Sequence, residues 1–387
     1  MSIKVEDYYA PATFQRMKAF ADQHETPFVV IDTETISKAY DDLRAGFEFA
    51  KVYYAVKANP AVEIIDLLRD KGSSFDIASI YELDKVMSRG VGPERISYGN
   101  TIKKSRDIRY FFEKGVRMFA TDSEADLRNI AKAAPGAKVY VRILTEGSTT
   151  ADWPLSRKFG CQTDMAMDLL ILARQLGLEP YGISFHVGSQ QRDISVWDAA
   201  IAKVKVIFER LKEEDGIELK MINMGGGFPA NYIQRTNSLE TYAEEIIRFL
   251  KEDFGDELPE IILEPGRSLI ANAGILVSEV VLVARKSRTA VERWVYVDVG
   301  KFSGLIETMD ESIKFPIYTE KKGEVEEVVI AGPTCDSADI MYENYKYGLP
   351  LNLAIGDRLY WLSTGAYTTS YSAVEFNGFP PLKAYYI

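Results

Sequence analysis

Apolar residues along the chain change their period at regular intervals. From about residue 50, short runs rich in Val, Ile, Tyr and Phe alternate with segments whose apolar positions recur at helical spacing. The runs are KVYYAVKANP (51–60), SSFDIAS (73–79), RISYGN (95–100), RMFATDS (117–123), KVYVRIL (138–144), YGISFHVGS (181–189), KMINMGGG (220–227) and IILEPGR (261–267). Each predicts a buried strand. Between them, SLETYAEEIIRFL (238–250) places Leu239, Tyr242, Ala243, Ile246, Ile247 and Leu250 on one helical face. Ser123 ahead of EADLRNIAKAA and Thr163 ahead of DMAMDLLILARQLG are the expected helix caps. This alternation predicts an α/β fold, a (β/α)8 TIM-like barrel, although an open doubly wound sheet shares the pattern.

After Arg267 the helical spacing stops. The segments 275–287, 293–300, 324–332, 357–364 and the stretch to Ile387 read as strands without intervening helices. They predict a second, mostly β domain over 273–387, joined by residues 1–25, with the barrel over 26–272. In a barrel the carboxyl ends of the strands share one face, where sites are built. Lys57, Asp76, Asn100, Arg142, His186, the three glycines and Glu264 fall at those ends.

Composition narrows the function classes. With 387 residues and 47% hydrophobic positions, the chain can bury a large core. A formal charge of −11 and the lack of any basic run argue against nucleic acid or anionic lipid as a partner. The two cysteines, Cys161 and Cys335, are far apart in sequence, which suits a reducing cytoplasm better than a disulfide framework. The first twenty residues lack a signal-peptide pattern, and no apolar run is long enough to span a membrane. No HExxH, CxxC or paired-histidine spacing points to a metal.

Taken singly, the chemical candidates are ordinary. Lys57 at the end of an apolar strand reads first as a salt-bridged lysine, although desolvation would suit it to imine chemistry. Gly225-Gly226-Gly227 leaves backbone N–H groups open to a phosphate, yet a glycine run is more often a tight turn. Ser189 and Arg267 are placed in sequence to add a hydroxyl and a guanidinium to such a phosphate. His186, Glu264 and Cys335 read alone as a core histidine, an ion-pair carboxylate and a small buried hydrophobe. A sugar-phosphate enzyme would also account for a barrel with a phosphate site, but not for the β domain.

The combination is specific. AVKAN, FHVGS, GGGFP, EPGR, GPTCDSAD and GAYTTSYS, in this order from about residue 28 to 380, resemble the fold type III decarboxylases dependent on pyridoxal 5'-phosphate (PLP), the ornithine/diaminopimelate decarboxylase family. The resemblance implies an alanine racemase-like fold and a homodimer with shared sites. It makes Lys57 the Schiff-base lysine, His186 a ring-stacking residue and Glu264 the partner of the pyridine nitrogen. Gly225, Gly226, Gly227, Ser189, Arg267 and Tyr367 match the phosphate set. Gly266, Asp76 and Arg142 match further cofactor-binding positions, and Glu82 matches one near the lysine. Cys335 matches the proton donor supplied by the partner subunit, with Tyr367 and Phe376 lining the same pocket.

Asp336 after Cys335 follows the ornithine branch, whereas the diaminopimelate branch usually carries Glu there. Asp310 matches that branch's second acid if one residue is deleted nearby; Glu307 and Glu311 are the alternatives. Two carboxylates around a distal ammonium suit ornithine, giving putrescine for polyamine biosynthesis. Lysine, one methylene longer and yielding cadaverine, is only weakly discriminated. Arginine, diaminopimelate and carboxynorspermidine decarboxylases share the family. A non-catalytic regulatory relative would be expected to lack the lysine, the glycine run or the cysteine.

Overall fold

The computed structural model describes residues 3–145, 150–153, 157–373 and 376–387. Its strands, in chain order, are β1 (Phe28–Ile31), β2 (Ala50–Ala55), β3 (Ser74–Ile77), β4 (Ile96–Tyr98), β5 (Met118–Thr121), β6 (Lys138–Arg142), β7 (Ala151–Trp153), β8 (Glu179–Ser184) and β9 (Ser189–Gln191). They continue with β10 (Met221–Asn223), β11 (Glu260–Leu263), β12 (Gly274–Arg285), β13 (Arg293–Val297), β14 (Ile317–Tyr318), β15 (Val325–Ala331), β16 (Ile340–Pro350), β17 (Arg358–Leu362) and β18 (Lys383–Tyr386). Two compact units result. One holds 39–229 and 237–266; the other holds 1–38, 230–236 and 267–387.

The first unit is a closed parallel barrel in the order β10-β11-β2-β3-β4-β5-β6-β8, so each of the eight expected strands is present. Side chains from alternate positions fill its interior: Tyr53, Met118, Ala120, Tyr140, Tyr181, Met221 and Ile262 form one buried cluster. The tyrosines remain polar at their tips, and each such hydroxyl needs a partner. Tyr140 Oη lies 2.8 Å from Ser97 Oγ, and Tyr181 Oη donates to Glu260 Oε2 at 2.6 Å. Gly182 in β8 is required by close packing, because a Cβ there would sit 2.1 Å from the Met221 carbonyl oxygen. Ser238 caps the helix Leu239–Phe254, its side chain accepting from Thr241 N. Thr163, expected as a cap, is instead the first residue of the helix Thr163–Gln175, with Gln162 before it.

A buried ion pair ties two barrel loops together. Lys103, after β4, donates from Nζ to Asp126 Oδ2 at 2.7 Å, Ala120 O at 2.7 Å and Asn100 O at 3.0 Å, filling all three donor positions. Thr121 Oγ1 donates to the same carboxylate at 2.8 Å. Burial pulls both groups towards neutrality, lowering the lysine pKa and raising that of the aspartate. Removing one partner leaves a buried charge uncompensated, which costs about 3–5 kcal/mol. Lys103→Met is therefore expected to lower the urea midpoint strongly, and Lys103→Met/Asp126→Leu to recover most of the loss. Equal midpoints for wild type and the single variant would refute this account.

The second unit is a mixed sheet in the order β14-β17-β12-β13-β15-β16, with β1 pairing β12 and β18. Val5, Tyr9, Met17, Ala21, Phe28 and Val30 pack with Ile275, Val277, Tyr360 and Leu362 in its core. Tyr9 stitches this core at its polar tip: its hydroxyl donates to Gly274 O at 2.7 Å and accepts from Ser363 N at 3.0 Å. The sequence reading opened the barrel at residue 26, and here it is corrected. Strand β1 runs antiparallel to β12 and parallel to β18, outside the barrel. All four of its residues are buried, and an apolar run of that length does not reveal which sheet will take it. Residues 267–272 likewise belong to this unit. Strand β16 was not foreseen: MYENYKY lacks a clean alternation, and the β15–β16 register shifts twice. No helix among the described residues is long and apolar enough to cross a membrane.

Candidate active site

Each unit carries its own set of candidate side chains. In the barrel unit, β2 delivers the chain into a short 3-10 turn, Val56–Ala58, which leaves Lys57 exposed between buried neighbours. Lys57 Nζ makes no hydrogen bond among the described residues, so the amine is held only by the strand behind it. Asp76 ends β3 with Oδ1 buried and lacking a hydrogen-bond partner. Burial, reinforced by the Glu264 charge, raises the Asp76 carboxyl well above the usual range, against the opposing pull of Lys57. Glu82 folds back to accept from Ala78 N at 2.7 Å, which orders the turn after β3. Asn100 does similar work after β4, donating to Ala78 O at 3.3 Å.

His186 follows β8 and accepts the Gly188 N–H at Nδ1, 3.0 Å away. Burial, with Arg142 and Lys57 nearby, pushes its pKa well below the ordinary value. The ring is therefore neutral, with its proton on Nε2. Thr145 Oγ1 anchors the same residue through its carbonyl, at 2.7 Å. Arg142, at the end of β6, stacks 5.0 Å from the Phe159 ring, and burial lowers its pKa. Ser189 opens β9, and Gly266 is buried just past the end of β11.

After β10, Asn223 organises the glycine run. Its Oδ1 accepts from Gly225 N at 2.9 Å, and its Nδ2 donates to Glu264 Oε1. Gly225 and Gly227 have φ of +63° and +101°, which disfavours any side chain. A Cβ would also meet the Phe185 oxygen at 2.4 Å from Gly225, the Glu264 oxygen at 2.6 Å from Gly226 and the Gly188 oxygen at 2.6 Å from Gly227. Only glycine fits at all three. Glu264 is raised in pKa by burial, although Asn223, Lys57 and Arg142 oppose that rise.

In the β unit, Arg267 is 3% exposed and bound from both sides. Its guanidinium pairs bidentately with Glu307, at 2.7 and 2.5 Å, and donates to Tyr232 Oη at 2.9 Å. The Tyr367 ring lies 4.8 Å from the guanidinium, with Tyr367 held at φ +58°. Cys335 is exposed on the loop after β15, and its N–H donates to Asn377 Oδ1 at 2.9 Å. Asp339 anchors that loop: 2% exposed, it accepts from Thr334 Oγ1 at 2.7 Å, Thr334 N at 3.1 Å and Lys301 N at 2.8 Å. Asp336 is exposed, with Oδ1 accepting from Ala338 N at 2.8 Å.

Of the three acids in the 307–311 segment, two are already engaged. Glu307 holds Arg267, and Glu311 accepts the N–H groups of Glu343, Asn344 and Tyr345 at 2.7, 2.7 and 2.8 Å. Asp310 is exposed at φ +52°, and its carboxylate has no hydrogen-bond partner among the described residues. Phe376 is partly exposed against Phe302, ring centroids 4.8 Å apart. Sequence reasoning did not assign Tyr232, Asp339 or Asn377, and it weighed Glu307 only as a substrate-side acid. The two aspartates of CDSAD, three residues apart, were a signal that one of them turns inward.

The barrel set can be tested for its fit to PLP. The Gly226 and Gly227 N–H groups make no hydrogen bond among the described residues, in a turn too crowded for side chains, as a phosphate cradle requires. Glu264 Oε1 is taken by Asn223, while Oε2 has no donor among the described residues, as a protonated pyridine nitrogen would need. A neutral, oriented imidazole and an accessible primary amine complete the set. The residues fit the cofactor. Among the described residues no group of three or more His, Cys, Asp or Glu side chains is placed to hold a metal.

Comparison with known proteins agrees with this geometry. A family model described as the pyridoxal-binding domain of pyridoxal-dependent decarboxylases matches residues 33–271. The lysine/ornithine decarboxylase of Selenomonas ruminantium is 33% identical over 366 residues, covering 94% of this chain and 90% of its own. The solved structure of a Vibrio vulnificus lysine/ornithine decarboxylase with cadaverine has a TM-score of 0.88 at 28% identity, covering 98% of this chain and 99% of its own. An arginine decarboxylase of Paramecium bursaria Chlorella virus, bound to agmatine, has a TM-score of 0.86 at 29% identity, covering 96% and 100%.

Proposed function

The chain belongs to the pyridoxal-dependent decarboxylase family, and from that premise we propose that it converts L-ornithine to putrescine, with L-lysine turned over at or below the ornithine rate. The observation that carries the substrate choice is the state of the acids in the β unit. Glu307 and Glu311 are engaged, which leaves Asp310 and Asp336 as exposed carboxylates for a distal ammonium. A desolvated cation needs such pairing. The product assigns the enzyme to polyamine biosynthesis, and the free thiols Cys161 and Cys335 suit a cytoplasmic setting.

When bound, PLP would accept the electron pair released as CO2 leaves the substrate α-carbon. Lys57 would supply the primary amine that holds the cofactor. Glu264 would pair with the pyridine nitrogen and hold its proton, and the His186 imidazole would be the ring-stacking residue. The Gly226 and Gly227 N–H groups and Ser189 would hold the phosphate, and the resemblance adds Gly225, Gly266, Arg267 and Tyr367 to that set. Asp76 and Arg142 set the local charge near the amine. Cys335 would be the proton donor to the carbon that loses CO2, with Phe376 and Tyr367 lining the same pocket.

CO2 release from L-ornithine, L-lysine, L-arginine and meso-diaminopimelate at equal concentration tests the assignment. Ornithine should lead. A lead for arginine or diaminopimelate would overturn the roles given to Asp310 and Asp336 while leaving the decarboxylase chemistry intact.

Cys335 also carries the proposal of a C2 homodimer with shared sites. Cys335→Ala is expected to slow turnover and to release less amine per CO2. Mixing Cys335→Ala with Lys57→Ala subunits should restore about a quarter of wild-type activity, since half the dimers then contain one intact site of two. No recovery after subunit exchange would place Lys57 and Cys335 in the same chain's site.

A further inference from the structure

The β unit contains a cavity of about 500 Å³, within the range of small-molecule sites, and none of its lining residues is among those read for the reaction. Among the described residues five of its lining side chains are cationic, Lys4 and Lys322 among them, against the single carboxylate of Asp7. Three of the five are paired with carboxylates, Arg235 with Asp7 at 3.2 Å, Lys321 with Asp357 at 3.1 Å and Lys346 with Glu292 at 3.0 Å, which leaves two ammonium groups in excess. Lys4 and Lys322 are exposed and pair with no carboxylate among the described residues.

The lining also carries aromatic rings among aliphatic residues such as Ile233 and Leu349. Tyr8, Tyr318 and Tyr345 are each partly exposed. Tyr345 is braced edge to face against Tyr347 at 5.1 Å, and the Arg235 guanidinium lies 4.6 Å from the Tyr8 ring. Braced tyrosine faces and a stacked guanidinium accept a planar ring, and unpaired lysines at the rim accept phosphate oxygens. An isolated phosphate would leave the rings unused.

We propose that this cavity is a binding site for a nucleoside polyphosphate, with the base against the tyrosines and the phosphates on Lys4 and Lys322. Calorimetric titration of the PLP-loaded protein with ATP, GTP, adenosine and tripolyphosphate tests it. ATP or GTP should saturate one site per chain with a Kd below about 1 mM, weakening as salt rises. Adenosine and tripolyphosphate should each bind at least about tenfold more weakly than the nucleotide. Lys4→Glu/Lys322→Glu should reduce nucleotide affinity by about tenfold or more, and Tyr345→Ala should reduce nucleotide but not tripolyphosphate affinity, both with unchanged Tm in the absence of nucleotide. The absence of saturable nucleotide binding, undiminished binding in the double variant, or tripolyphosphate binding as tightly as ATP would overturn the proposal.

Discussion

Lys57→Ala should abolish ornithine decarboxylation, by about 10⁴-fold or more, and with it the visible absorbance of the lysine-held cofactor. The fold should survive. Lys57 is exposed and makes no hydrogen bond among the described residues, so its truncation removes no packing and leaves no donor stranded. Its electrostatic role is different: the ammonium opposes the rise in the Asp76 and Glu264 carboxyl pKa values. The variant should therefore raise both carboxyl pKa values further. Lys57→Arg restores the charge but not the chemistry, because a guanidinium does not lose its proton to become a nucleophilic amine. The three proteins separate the roles. Activity and absorbance should be lost in both variants, while urea midpoints stay near wild type. Wild-type turnover in Lys57→Ala would remove the assignment, and a non-catalytic relative would show neither activity nor absorbance even before mutation.

The barrel was legible because parallel strands buried on both faces must be continuous apolar runs, and each is flanked by a helix of different period. All eight runs therefore stood out. What did not stand out were strands whose partners are remote. Strand β1 pairs with segments about 245 and 355 residues away along the chain, and nothing local to FVVI specifies them. Strand β16 carries its polarity on surfaces that the neighbouring sheet exposes irregularly, so period alone fails there. The site divides in the same way. Lys57, His186, the glycine run and Glu264 lie at strand ends, where position along a run already suggests a functional face. Glu307 is different, because its significance depends on Arg267, forty residues earlier and buried with it. Asp339 is likewise readable only once the loop is seen to fold back over Lys301 and Thr334. Position along the runs marked the strand ends and the resemblance gave them candidate roles, whereas burial was needed to see which acids support other side chains and which stay exposed.

Glu307→Leu should be the most destabilising single change in the β unit, lowering stability by about 3–5 kcal/mol. Arg267 is 3% exposed and Glu307 equally buried, so neither charge is shared with bulk water. Losing the carboxylate strands a guanidinium that cannot neutralise itself by releasing a proton. The reverse change should cost less. In Arg267→Met the stranded group is a carboxyl, which can take up a proton and become neutral. The double variant, with both charges gone, should recover much of the loss, and the urea midpoints of the four proteins give the coupling energy directly. PLP adds a second reading. If Arg267 is a phosphate ligand, the phosphate supplies the missing anion in Glu307→Leu, and cofactor loading should raise that variant's midpoint by more than it raises wild type. An equal rise in both would leave the ion pair as purely structural and assign the phosphate to the Gly226 and Gly227 amides and Ser189 alone.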